Sequence, residues 1–148
     1  MTKIENSVVI DRPADAVWKF YTDLSNIPML DQYVREAKQD SPGPLGTGST
    51  VSLRMDNWTL VLRVTEFEPN RKLAYEAVSP GSLKGSTDTY TLESFEGKTK
   101  FVETMDVKGN GFYKLASSFF GNKAKEDSRI RLANVKRKLE SKTPQIHG

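Results

Sequence analysis

The chain has 148 residues, of which 36% are apolar and 28% charged, and its net charge is +3. This composition is typical of one soluble globular domain, and the absence of cysteine excludes disulfide scaffolds, thiolate zinc clusters and thiol nucleophiles. No apolar run approaches the ~20 residues of a transmembrane helix, and the first residues lack the apolar centre of a signal peptide. We therefore expect a cytoplasmic protein.

The N-terminal part is predicted to form a strand followed by two short helices. Residues 1–10 have the pattern of a strand, and Pro13 favours the first turn of a helix over Ala14–Thr22. Helical spacing gives that helix one apolar face, made of Val17, Phe20, Tyr21 and Leu24. Asp23 is expected to cap a second helix, Leu24–Leu30, which an internal proline keeps short.

The middle of the chain predicts an antiparallel meander. A short strand over Val34–Lys38 precedes a loop rich in proline and glycine, residues 40–48, after which apolar and polar residues alternate. Turn signals separate the alternating runs at Asp56-Asn57, Pro69-Asn70, residues 79–82 and Glu96-Gly97. We expect a sheet with one apolar face and one solvated face.

The C-terminal part predicts one long helix, Phe112–Ser141, of about 30 residues. Its apolar stripe comprises Phe112, Leu115, Ala116, Phe119 and Phe120, then Ser128, Leu132, Val135 and Leu139. Nine basic and three acidic side chains between Phe112 and Lys142 give this segment a net charge of +6, which favours a solvated helix face over a nucleic-acid footprint. Residues 1–142 are assigned to one domain and residues 143–148 to a tail.

Recognised catalytic and metal-binding motifs are absent from the sequence. The one histidine, His147, falls in the predicted tail, where no packed neighbours would hold it. Carboxylates are numerous, but none has the spacing of a calcium loop, and no glycine-rich phosphate loop occurs. We therefore predict neither a metal nor a cofactor.

In its order of elements the chain resembles the SRPBCC superfamily, also called START-like or birch-pollen-allergen-like, and within it the polyketide cyclase/dehydrase family. The resemblance covers nearly the whole chain. It is carried by Val8-x-Ile10-x-x-Pro13, Val17-Trp18, Asp23-x-x-x-x-Pro28, Gly46-x-Gly48, Val64-Thr-Glu-Phe67-x-Pro69, Leu73-x-Tyr75, Gly97-x-Thr99-Lys100 and Leu132-x-x-Val135-Lys136-x-x-Leu139-Glu140. One departure is Met29-Leu30-Asp31, where related sequences often have tryptophan.

The resemblance implies an α+β helix-grip fold, in which a curved antiparallel sheet wraps a long C-terminal helix and encloses a cavity. It further implies binding of lipids, sterols, polyketides or other bulky apolar molecules, and in a minority of members cyclisation or aromatisation. A fold does not by itself fix a function.

The apolar side chains that alternate along the strands are expected to form the wall of the cavity. The side chains predicted to contact a ligand are Leu53, Trp58, Leu60, Leu62, Tyr75, Tyr90, Glu103 and Met105 from the sheet, with Phe112, Leu115 and Phe119 from the helix. The alternative interpretation of the same stripe is an ordinary dry core. Arg54, Arg63 and Glu76 fall on the opposite parity and are expected to face solvent.

Two polar residues fall at positions that alternate with the apolar side chains facing the core, and they are the candidates for a catalytic or ligand-binding role. Glu103 and Asp88 would both be buried, and a hairpin centred near Glu96-Gly97 would place Glu103 opposite Leu92 and diagonal to Tyr90. A carboxylate beside a phenol in an apolar pocket is expected to have a raised pKa and to bind a ligand hydroxyl or act as a general base. The alternative is a purely structural Tyr–Glu hydrogen bond.

Three function classes remain open at this stage. The leading class is a carrier or binding protein for a small hydrophobic molecule. Such a protein is expected to use no cofactor, to be non-enzymatic more often than enzymatic, and to act as a monomer or homodimer. The second is a cyclase- or aromatase-like enzyme that uses Glu103 or Tyr90. The third is an interaction module that uses the basic helix on a protein or nucleic acid, of which nucleic acid is the less expected partner.

Overall fold

The computed structural model describes residues 2–108 and 117–141, with side chains for 3–108 and 123–141. Its elements are β1 (Thr2–Ile10), α1 (Ala14–Thr22), a 3₁₀ turn (Leu24–Asn26), α2 (Ile27–Leu30), β2 (Glu36–Gln39), β3 (Thr50–Arg54), β4 (Thr59–Glu68), β5 (Lys72–Ser79), a second 3₁₀ turn (Gly81–Leu83), β6 (Thr87–Phe95), β7 (Lys98–Val107) and α3 (Ser117–Ser141). The order of elements predicted from the sequence is confirmed.

The two short helices follow their predicted boundaries closely. Asp23 caps the segment after α1, because its Oδ1 accepts a hydrogen bond from the backbone N–H of Ser25 at 3.1 Å. The segment predicted as one helix divides into the 3₁₀ turn and α2, with Pro28 in the first turn of α2, where its missing N–H costs no hydrogen bond. The Nδ2 of Asn134 donates to the carbonyl of Leu30 at 2.9 Å and so holds the end of α2 against α3.

Seven antiparallel strands form one sheet in the order β1-β7-β6-β5-β4-β3-β2. The strands from β2 to β7 make the predicted meander, and β1 joins its far edge by pairing with β7. Register shifts between β4 and β5 fall at Val61/Leu62 and at Val64/Glu66, and such bulges bend and twist a sheet. The curved sheet wraps α3, which is the predicted helix-grip arrangement.

The concave face of the sheet and the inner face of α3 enclose the core. The predicted helix stripe is confirmed from Ser128 onward, since Ser128, Leu132, Val135 and Leu139 are all buried. The opposite parity is solvated as predicted, with Arg63 donating to Glu76 at 3.0 Å on the outer face. Of the helices in the described residues, none has both the length and the apolar character to cross a bilayer.

The β6–β7 hairpin differs from its predicted register by two residues. Glu103 pairs directly with Tyr90, and Phe101 takes the position opposite Leu92. The cause is the turn: Glu96 and Gly97 have positive φ values of 49° and 76°, so the loop closes over two residues. A shift of two keeps every side chain on its predicted face.

Candidate functional site

An inner cavity of about 200 Å³ lies between the concave sheet face and the helices. Its wall is mainly apolar and comes from β3, β4 and β5 with residues Val51, Leu53, Leu60, Leu62, Tyr75 and Ala77, and from Tyr21, Leu24 and Ile27 of the helical segment. Polar groups gather at one part of the wall, which Asp31, Asp88, Tyr90 and Arg131 line. The cavity is larger than the ~150 Å³ cavity that is known to take up benzene.

A second, outer cavity of about 490 Å³ adjoins the inner one. Both are lined by Asp31, Met55, Met105 and Arg131, so these four side chains form their common boundary. The outer cavity extends to Trp58 and Tyr33, whose side chains are among the exposed large apolar groups at 46% and 41%.

The structure brings most of the predicted ligand-contacting residues together. The inner cavity is lined by Leu53, Leu60, Leu62, Tyr75, Tyr90 and Met105. Glu103 is fully buried and contacts the lining residues Tyr90 and Arg131. Phe112, Leu115 and the side chain of Phe119 lie outside the described residues.

Trp58 differs from its predicted position. It was expected inside the curved sheet, but it precedes the first residue of β4, and its carbonyl accepts from Met55 N–H at 2.8 Å in the β3–β4 turn. The alternation of a strand therefore does not govern its direction, and its side chain lines the outer cavity.

Glu103 is the centre of a buried polar cluster. Its Oε2 accepts from the Tyr90 hydroxyl at 2.8 Å, and its Oε1 accepts from the Ser128 hydroxyl at 2.8 Å. The Nη2 of Arg131 donates to both oxygens, at 3.0 and 2.7 Å. The predicted hydrogen bond between Glu103 and Tyr90 is confirmed, while the contacts with α3 were not foreseen.

Arg131 joins this cluster to the end of α2. Its Nη1 donates to Asp31 Oδ2 at 2.7 Å, so one guanidinium contacts two carboxylates from different elements. The Arg131 side chain is 9% exposed, and its Nε–H has no hydrogen-bond partner among the described residues. Buried guanidinium groups are strongly favoured to be paired, as this one is on its two Nη atoms.

The predicted rise in the pKa of Glu103 is wrong. Burial alone would raise that pKa, but the positive charge of Arg131 and hydrogen bonds from Asp88, Arg131 and Ser128 lower it below its ordinary value. Glu103 is therefore ionised, fully hydrogen-bonded and ill-suited to act as a general base near neutral pH.

The raised pKa belongs instead to Asp88. Burial, the negative charge of Glu103 and a hydrogen bond shared with that carboxylate raise the pKa of Asp88 well above its ordinary value. Its Oδ2 lies 3.0 Å from the Tyr90 hydroxyl, whereas its buried Oδ1 has no partner among the described residues. The Asp88 side chain contributes to the wall of the inner cavity, and its raised pKa favours the protonated form.

Aromatic packing fixes the Tyr90 phenol between the two acids. The Tyr90 ring stacks on Phe101 with centroids 5.6 Å apart and contacts the Tyr21 ring at 4.5 Å. Burial raises the pKa of Tyr90 well above its ordinary value, although the charge of Arg131 opposes the shift. Tyr90 therefore stays protonated and acts as a hydrogen-bond donor.

A family profile described as polyketide cyclase / dehydrase and lipid transport matches residues 1–140. The chain belongs to this family. Membership supports a ligand-binding or cyclase role for the protein. Among curated protein sequences, none matches this chain closely enough to count as a relative.

Solved structures of low sequence identity share the fold. The Zhui aromatase/cyclase from Streptomyces sp. R1128 has 18% identity and a TM-score of 0.79 over 99% of this chain and 97% of its own. The protein Ara h 8.0201 has 13% identity and a TM-score of 0.73 over 94% of this chain and 97% of its own. The di-domain aromatase/cyclase BexL, from the BE-7585A biosynthetic pathway, has 17% identity and a TM-score of 0.78; 98% of this chain aligns, but it spans only 48% of BexL.

Arg131 and Asp31 belong to this site, although the sequence pattern did not predict them. The basic composition of the helix predicts a solvated face for its arginines and lysines, Arg131 among them. Arg131 lies three residues after Ser128 and four before Val135, and this spacing places it on the buried stripe of the helix. The burial of Arg131 could have been predicted from that spacing. Asp31 sits at the family departure after Pro28, and nothing in the sequence pairs it with Arg131.

The described side chains hold no cluster of three or more histidine, aspartate and glutamate residues arranged to bind a metal. The described site combines an apolar wall with the neutral acid Asp88, the phenols of Tyr21, Tyr75 and Tyr90, and the ion cluster of Arg131, Glu103 and Asp31. Sites that bind apolar ligands typically combine an apolar wall with a few polar groups that orient the ligand.

Proposed function

We propose that this family member binds a small, mainly apolar molecule in the inner cavity and admits it through the outer one. The observation that carries the proposal is the apolar cavity itself, which ends on a few convergent polar groups, as ligand sites characteristically do. Family membership and the shared fold support it. Burial of the ligand's apolar surface would supply most of the affinity, at about 25 cal/mol per Å².

The test is a comparison of native and denaturing mass spectra of the freshly purified protein. An added mass that leaves on denaturation supports the proposal and gives the ligand's composition. Ala77→Leu fills part of the inner cavity and is expected to reduce the bound fraction, whereas Ala133→Leu makes the same change on an exposed position of α3. Equal bound fractions in both variants would contradict a ligand in this cavity.

A cyclase-like activity is the second candidate, and the position of Asp88 favours it. Asp88 carries a proton and its side chain lines the cavity, whereas Glu103 is ionised and both of its oxygens accept hydrogen bonds. A neutral carboxyl of this kind can act as a general acid. Turnover of the ligand found by mass spectrometry should fall about 10²–10⁴-fold in Asp88→Asn if this activity exists. A binding protein would instead return the ligand chemically unchanged.

A further inference from the structure

Two methionines lie on the boundary between the inner and the outer cavity. Met55 follows the last residue of β3, and Met105 lies on β7. Both side chains are half-buried, and both line the two cavities. The rest of the shared boundary is the ion pair between Asp31 and Arg131. These four side chains therefore surround the place where the two cavities meet.

The two halves of this boundary differ in their freedom to move. Arg131 is held by hydrogen bonds to Asp31 at 2.7 Å and to Glu103 at 2.7 and 3.0 Å. Moving Arg131 would break largely buried ion pairs, which is costly. Methionine, in contrast, has an unbranched and flexible side chain that fits irregular apolar shapes. The methionine half of the boundary can therefore adjust to a molecule that lies across it, whereas the ionic half cannot.

The volumes of the two cavities limit the size of a ligand. The inner cavity of about 200 Å³ has room for little more than one aromatic ring, since a cavity of ~150 Å³ takes up benzene. The outer cavity, at about 490 Å³, is more than twice as large. A ligand that continues from the inner into the outer cavity buries more apolar surface than one confined to the inner cavity, and it therefore binds more tightly.

The polarity of the two walls sets the direction of such a ligand. The inner cavity is lined mainly by apolar side chains. The wall of the outer cavity includes the exposed polar side chains of Asp56, Asn57 and Lys123 and the half-buried side chain of Asp127. Burial of a polar group without a hydrogen-bond partner is costly. The polar end of a ligand is therefore favoured in the outer cavity and its apolar end in the inner one.

We infer that the ligand is an elongated, mainly apolar molecule that occupies both cavities at once, with its polar end in the outer one. Met55 and Met105 line the passage that this ligand spans, and they determine which molecules fit through it. The inference rests on the proposed binding function and adds to it the shape of the ligand, its direction and two specificity-determining residues.

Three straight-chain alcohols, 1-hexanol, 1-octanol and 1-decanol, test the length of the site by isothermal titration calorimetry. Each additional pair of buried methylenes should raise the affinity about 15-fold. We expect this gain to continue from 1-octanol to 1-decanol, because the chain extends past the methionines. Equal affinities for 1-octanol and 1-decanol would show that the ligand is confined to the inner cavity, and would overturn the inference.

A diol tests the direction of the ligand. 1,10-Decanediol has a hydroxyl group at each end, so one of them must enter the apolar inner cavity. We expect it to bind at least about tenfold more weakly than 1-decanol. Equal affinities would show that the inner cavity accepts a polar end, and would overturn the assigned direction.

Oxidation of the methionines in the wild-type protein tests where the longer alcohol lies. Hydrogen peroxide converts accessible methionine to its sulfoxide, and peptide mass spectrometry measures each site separately. Saturating 1-decanol should slow the oxidation of Met55 and Met105 several-fold. Met29, which is 46% exposed and lines neither of the two cavities, should be oxidised at an unchanged rate. Unchanged rates at Met55 and Met105 would place the ligand elsewhere and overturn the inference.

Two variants assign the length preference to the methionines. Met55→Phe and Met105→Phe each place a larger and more rigid side chain on the boundary. Each should weaken the binding of 1-decanol about tenfold and that of 1-hexanol by less than about twofold. Met29→Phe makes the same change at an exposed position of α2 and should alter neither affinity. Equal losses for the two alcohols in both boundary variants would overturn the role assigned to the methionines.

The failure of this inference differs from the failure of the proposed function. If 1-hexanol binds and the longer alcohols gain nothing, the binding function stands and the ligand that spans both cavities is overturned. If no alcohol binds, the binding function itself is overturned, and the ligand shape falls with it. The oxidation measurement uses the wild-type protein, so it decides the inference even where a phenylalanine variant does not fold.

Discussion

One nitrogen of Arg131 bonds both carboxylate oxygens of Glu103, at 3.0 and 2.7 Å, across the interface between α3 and β7. The Glu103 side chain is completely buried, and that of Arg131 is 9% exposed. The pair therefore joins the C-terminal helix to the sheet at the same place where the polar part of the cavity wall is formed. The same contact holds Arg131 in the cavity wall.

Removal of one member of this pair should cost more stability than removal of both. We expect Arg131→Met to lower the free energy of unfolding by about 3–5 kcal/mol, because it leaves the Glu103 charge buried without its cation. The double variant Glu103→Gln/Arg131→Met should recover much of that loss. Urea denaturation of Arg131→Met, Glu103→Gln and the double variant measures the three losses, and a double-variant loss equal to the sum of the two single losses would contradict the coupling. Arg129→Gln, in an exposed pair with Glu126, serves as the control and should change the midpoint little.

Asp88 should make the protein less stable as the pH rises. The pKa of Asp88 in the folded state lies well above the ordinary value of 3.8. The stabilising contribution of Asp88 is therefore fully present below the ordinary pKa and is lost as pH rises through the folded-state pKa. Asp88→Asn cannot ionise. The unfolding free energy of Asp88→Asn minus that of wild type should therefore increase as pH rises from about 4 to about 8. Unfolding free energies at three pH values measure this, with Glu93→Gln as the control. A constant difference across the range would show that Asp88 is ionised in the fold.

Ser128 should stabilise the fold through its hydrogen bond to Glu103. The buried hydroxyl donates to Glu103 Oε1 at 2.8 Å, and hydrogen bonds to charged groups contribute about 1.5–3 kcal/mol. Ser128→Ala should reduce the unfolding free energy by about that amount. Ser141→Ala removes an exposed hydroxyl from the same helix and should have little effect. Equal losses in the two variants would argue against a special role for the buried bond.

The β6–β7 turn should accept a stabilising substitution. Glu96 has φ of 49°, a left-handed conformation that asparagine adopts more readily than glutamate. Glu96→Asn creates an Asn-Gly pair at a two-residue turn and should stabilise the fold by about 0.5–1 kcal/mol. Gly97→Ala should destabilise it, because Gly97 has φ of 76°. Thermal denaturation measures both shifts, and a lower Tm for Glu96→Asn would contradict the turn assignment.

Most of the fold could be predicted from the periodic spacing of hydrophobic residues. The parity of β4, β5 and β6 correctly placed Leu62, Tyr75 and Tyr90 on the buried face, because alternation is a property of each strand taken alone. The same parity marked Asp88 and Glu103 as buried polar residues. Periodicity did not apply to Trp58, which belongs to the turn before β4 and so is 46% exposed.

Pairing between elements required the tertiary structure. The sequence locates the Glu96-Gly97 turn, but the register of Tyr90 with Glu103 depends on the backbone conformation of those two residues, and hence on how the whole sheet accommodates them. The sign of the pKa shift of Glu103 followed from Arg131, which is 28 residues away in sequence. A carboxylate beside a phenol alone would have had the opposite shift.

The order of elements, the face that each strand buries and the two acids on that face could be predicted from the sequence, because they depend on local spacing. The tertiary structure decided which acid is charged, since Arg131 and Ser128 reach Glu103 and leave Asp88 with its proton. It also decided that Asp31 and Arg131 meet, because α2 and α3 are brought together only by packing on the same curved sheet. Electrostatic environment is a sum over neighbours in space, and a linear sequence does not contain that sum.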